Sequence, residues 1–156
     1  MLNNHKMKRI ILFALIMGSG IAASAQSVND EIDYMQAIFG MEKRAAVMNF
    51  VNFEEGEEST FWKLYDEYEI IRKEYGKQRF LLLNNFVENF DKMSDEESEV
   101  WMRSVIDLRK RNEKLIESYY KKIRKNCSAS LAMQFYQIES YVLAGIRFQI
   151  LESVPF

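Results

Sequence analysis

The sequence predicts an all-α fold of four long antiparallel helices. Three observations carry that expectation. The only proline, Pro155, stands beside the last residue, and beyond the first 25 residues only Gly40, Gly56, Gly76 and Gly145 punctuate the chain, too few turn residues for an all-β domain. Long stretches of Glu, Lys, Leu, Arg, Met and Gln favour helix, and their apolar residues recur at three and four. The segments between these stretches hold only a few residues, enough for sharp turns that fold neighbours back on one another.

The first 25 residues stand apart from the fold. Lys6, Lys8 and Arg9 precede a short apolar run, Ile10 to Met17, and small residues then lead to Ala23, Ser24 and Ala25. This is the layout of a secretory signal peptide cleaved before Gln26, near the Ala25/Gln26 junction, with an uncleaved anchor as the alternative. Residues 26–156 are then one helical domain in an exported, periplasmic protein.

Within that domain the first helix runs from about Asp30 to Asn52, with Ile32, Met35, Phe39, Ala46 and Phe50 on one face, or from Met41 if Gly40 delays it. The second, from about Glu57 to Phe90, turns Phe61, Leu64, Tyr65, Tyr68, Ile71, Tyr75, Leu82 and Phe86 inward. The third, Asp95 to about Asn126, does so with Trp101, Val105, Leu108, Leu115, Tyr119 and Ile123. The fourth, Ala129 to about Glu152, uses Phe135, Ile138, Val142, Ile146 and Ile150, and Pro155 follows its end.

Composition removes most chemistry. The single histidine, His5, lies in the leader and the single cysteine is Cys127, so the domain has no histidine acid or base, no Ser-His or Cys-His pair and no histidine-bearing zinc site. Acid pairs such as Asp66 with Glu69 have no nucleophile beside them. No enzyme activity, cofactor or metal is expected. Cys127 is either a small buried apolar residue or the sulfur of an intermolecular disulfide. The net charge is −2, and the leader holds three cations and no acid, so the domain is more acidic still and nucleic acid is not an expected partner. The acids Glu54, Glu55, Glu57 and Glu58 suit a helix N-terminus, the other reading being a metal site, although their spacing is unlike an EF-hand loop.

A pattern recurs at three helix starts: FEEGEESTF from Phe53, MSDEESEVW from Met93 and CSASLAMQF from Cys127. Each opens on an apolar residue that pins the chain and reaches an aromatic two turns into the helix, Phe61, Trp101 or Phe135, expected to enter the core. In the first two the fifth residue is an acid, Glu57 or Glu97. Ser94 and Glu97 have the spacing of a capping box. The pattern resembles the LTxxQ signature of the Spy/CpxP family of periplasmic proteins, with Glu rather than Gln at the fifth position and no Leu-Thr pair. The stretches Phe61 to Arg79 and Gln134 to Phe156 resemble uncharacterised exported relatives of that family. The resemblance implies a bracket or cradle of helices, commonly a homodimer. Such proteins bind unfolding envelope proteins without ATP or modulate a membrane stress sensor. Without a histidine in the domain, a metal-sensing role does not carry over.

Two surfaces follow from the residues themselves. On the second helix Tyr65, Tyr68, Arg72, Tyr75 and Arg79 share a face, where the guanidiniums of Arg72 and Arg79 either stack on tyrosines and pair with an acid such as Glu139 or form a polar site facing a peptide. Further along, Phe80, Leu81, Leu83, Val87 and Phe90 exceed what one core-facing stripe needs. The first helix, a second copy of the chain or an unfolding client is expected to cover them. The bases of the third helix form a solvated face or steer an acidic client segment or an anionic headgroup.

Overall fold

The computed structural model of the chain describes residues 25–153. It is all-α, with helices α1 (Ala25–Phe50), α2 (Glu58–Asn89), α3 (Asp95–Asn126) and α4 (Ala129–Ser153), and no strand among the described residues. The expected leader, apart from Ala25, and Pro155 lie outside the described residues. Gly40 does not delay α1, which runs through it from Ala25. No described helix is long and apolar enough to cross a membrane.

Local chemistry sets each turn. Between α1 and α2 the backbone reverses at Gly56, whose φ of +82° is a left-handed conformation that a side chain would strain. The Glu57 carboxylate accepts from the Glu54 amide at 3.0 Å, while Phe53 packs edge-on against Phe61 at 5.4 Å. At the start of α3 the Ser94 hydroxyl accepts from the Glu97 amide and the Glu97 carboxylate accepts from the Ser94 amide at 2.8 Å, a complete capping box. The Ser94 amide and the Ser94 hydroxyl, which also donates to the Glu97 carboxylate at 2.8 Å, hold that carboxyl below the usual carboxylate range. At α4 the Ser128 hydroxyl accepts from the Leu131 amide at 3.2 Å.

The core lies where all four helices overlap. Phe61, Phe135, Ile123, Leu131, Ala132 and Val47 are fully buried there. Phe135 sets its ring edge against Phe61, Tyr65 and Tyr68, and Tyr68 continues the array to Tyr119 on α3. Each buried ring of this kind stabilises the fold by about 1.5–3 kcal/mol through area removed from water, with a further ~0.5–1.5 kcal/mol per well-oriented pair.

Two expectations about the core are corrected. Ile71, placed on the buried side of α2 by spacing, is exposed. Trp101 does not enter the core: it is part-buried, stacks on Phe86 at 4.5 Å and donates its indole N–H to the Leu82 carbonyl at 2.9 Å. The reason is position: Trp101 lies at the end of α3 that meets α2 at Phe86 and Leu82, outside the cluster where residues of all four helices are buried together. Between Arg72 and Leu108 no residue is buried.

Candidate functional site

Two features rise above ordinary helix packing. One is the arm made by the C-terminal half of α2 and the N-terminal half of α3. The other is a cluster of charges inside the base.

On the arm, Phe80, Leu83, Val87 and Phe90 recur at three- and four-residue spacing and so form one stripe along α2, while Leu81 lies across the helix from it. α1 follows this flank of α2: Gln36 sits against Gly76, where an added Cβ would come within 2.4 Å of its amide, and Asp33 pairs with Lys77. Phe80 and Leu83, the next positions along, are part-buried. Val87, Phe90 and Leu81 are exposed at 53%, 44% and 47%. On α3 the exposed apolar surface continues through Val100, Met102 and Ile106. Between the two helices a polar-rimmed cleft of about 850 Å³ is lined by Leu82, Asn85, Met93, Glu97, Val100 and Trp101. Isolated exposed apolar residues are ordinary, but a run on two paired helices beside an open cleft is the kind of surface that contacts another chain.

The interior cluster begins with Lys43 of α1, whose side chain is fully buried. Its ammonium donates to Glu69 at 2.5 Å and to Glu139 at 2.8 Å, and it lies 4.9 Å from the ring centre of Tyr68. Glu139 also accepts from the hydroxyls of Tyr65 at 3.3 Å and Tyr68 at 2.6 Å. Glu69 accepts from Arg72 Nε at 2.9 Å, and Arg72 Nη1 donates to Gln36 at 3.1 Å. Burial pushes the Glu69 carboxyl up, but Lys43 and Arg72 outweigh it and hold it below its ordinary value. Burial, then the charge of Glu139, drives the Tyr65 and Tyr68 hydroxyls well above theirs, so both stay donors. With two cations against two carboxylates, the cluster is neutral and ties α1, α2 and α4 together.

Arg72 and Glu139 therefore share one network, but Arg72 pairs with Glu69 rather than with Glu139. Arg79 pairs with neither: it makes no hydrogen bond or ion pair with any described residue. Lys43 and Glu69 were not anticipated. The signal for Lys43 was present, since it stands four residues after Phe39 and four before Val47 on the apolar face of α1.

The helix-start residues divide by position. Phe53, Phe61 and Phe135 join the core or pack on it, and Glu57, Ser94 and Glu97 close the turns. Met93 is a part-buried wall of the cleft, and Cys127 is a part-buried free thiol packed on the core, pushed up by burial and by Glu57. No group of acids and cysteine able to hold a metal occurs among the described residues. No family model, no curated protein and no solved structure matches the chain.

Proposed function

We propose that this is an exported, Spy/CpxP-like binding protein that shields unfolding envelope proteins without ATP, through the apolar arm of α2 and α3. The observation that carries the reading is the arm itself. It keeps Leu81, Val87, Phe90, Val100, Met102 and Ile106 exposed while no residue between Arg72 and Leu108 is buried. Folding of the base does not consume this surface, so its apolar groups are available to another chain. Their scatter over two helices, with a methionine among them, suits weak contacts to many sequences better than one shaped anchor pocket. Release is passive, because nothing in the reading requires a nucleotide.

The test is light scattering from two or three unrelated, slowly unfolding proteins with the purified chain at near-equal molar ratio and no nucleotide. Suppression of all of them is expected, with its loss when Val87, Phe90 and Val100 are changed together to Ser. Protection of none would sink the chaperone reading. It would assign the arm to one dedicated partner, such as the periplasmic domain of a membrane sensor or an anti-sigma factor, or to a second copy of the chain.

A further inference from the structure

The ion cluster is balanced without Arg79, and that balance makes Arg79 conspicuous. Lys43 and Arg72 answer Glu69 and Glu139. Arg147 on α4 is answered by Glu113 at 2.8 Å, which the exposed Arg109 also approaches at 3.7 Å. Arg79, two turns after Arg72 on the same face of α2, is part-buried and has no acid. Burial, followed by the positive charges of Arg72 and Arg147, brings its guanidinium down to about 10. Arg72 is itself only 9% exposed, and its Nη2 is a buried donor with no hydrogen-bond partner. Buried charges and buried donors are ordinarily paired, since leaving either without a partner is unfavourable. Here one uncompensated positive charge and one orphaned N–H group occur on one helix face, and both lack the same thing, an anionic acceptor.

We infer that Arg72 Nη2 and Arg79 form a receptor for one carboxylate, entered beside Arg147. Charge selects the class: a monoanion neutralises Arg79, whereas a phosphate dianion would bring an extra charge into a poorly hydrated site. Guanidinium forks match the two oxygens of a carboxylate in plane. Arg72 is already oriented for this, because Glu69 fixes its Nε and Gln36 its Nη1. Phe39, 5.0 Å below the Arg72 guanidinium, holds its plane. The carboxylate belongs either to a free organic acid or to an acidic side chain of a bound protein. The inference stands on the arginines alone and does not require the chaperone reading.

Thermal denaturation of the purified chain, at constant ionic strength made up with chloride, tests it. Acetate is expected to raise Tm saturably by about 3 °C, with a smaller rise from phosphate. Arg79→Met removes an uncompensated charge, so it should melt no lower than the parent without acetate and respond to acetate no more than to chloride. Arg79→Lys keeps the charge without the fork and should need at least tenfold more acetate. A capped Leu-Glu-Leu peptide that saturates at a tenfold lower concentration than acetate would place the carboxylate on a protein side chain. Equal or weaker binding of the peptide would place it on a free acid. An acetate response no greater than that to chloride, or an unchanged response in Arg79→Met, overturns the site.

Discussion

The base of the bundle and its arm are built from the same residue types to opposite ends. In the base, aromatic rings from α2, α3 and α4 close on one another around Phe135, and even the charges are buried and matched. On the arm a single stacked pair, Phe86 with Trp101, and one indole hydrogen bond join two helices that are otherwise open to solvent. Stability is thus concentrated in one half of the molecule. Exposed apolar residues occur in both halves, and what sets the arm apart is that none of its residues is buried. The comparison teaches that aromatic content alone does not locate a core: what decides is whether a third helix arrives to cover the pair.

The largest expected effect that tests this contrast is in the base. Lys43→Met leaves Glu139 with its two tyrosine hydroxyls but no countercharge and deprives Glu69 of one partner, and should destabilise by about 3–5 kcal/mol in denaturant titrations. A loss under 1 kcal/mol would mean that the cluster is hydrated and the base no tighter than the arm. Acid should find the same weak point. Because the Glu69 carboxyl is held below its ordinary value of 4.5 in the folded chain, the unfolded chain takes up its proton first. Its contribution is complete above that pH and is lost as the pH falls through the folded value; Lys43→Met should lose less of its remaining stability over that range.

On the arm the effects shrink. Trp101→Ala removes one ring stack and one hydrogen bond rather than a core side chain, for about 2 kcal/mol, and an unfolding midpoint displaced as far as that of Lys43→Met would show the arm to be part of the core. Ser94→Ala opens the capping box at a cost of about 1 kcal/mol, and amide exchange should report the first turn of α3 as faster while the base is unchanged. Val87→Ser should alter stability by no more than about 0.5 kcal/mol, yet weaken suppression of aggregation. A variant that instead melts several degrees lower would show Val87 to be covered.

The helices were legible because a period near 3.6 survives in every segment, and the caps because Ser94 and Glu97 bond over three residues of local chain. Phe61 and Phe135 were legible for the same reason. Trp101 was not, since its spacing from its helix start matches theirs and only the packing of the other helices tells a core ring from a ring shared by two helices. Ile71 failed through the width of the stripe, which sits where one residue more or less reaches solvent. Of the interior charges, Arg72 and Glu139 stood out against aromatic neighbours on their own helices. Their pairing depended on Lys43 and Glu69, whose meaning appears only when α1 is laid on α2 and α4.

Lys43 has a consequence for how the fold chooses among its own near-copies. The apolar contacts of α1 would tolerate sliding by one turn along α2, because greasy surfaces mate almost as well in several registers. The ammonium does not tolerate it: a shift of about 5.4 Å would carry it from both carboxylates, leaving Lys43 and Glu139 without a countercharge and Glu69 with Arg72 alone. One lysine thus works as a proofreading contact, rejecting misaligned docking of α1 that hydrophobicity alone would accept.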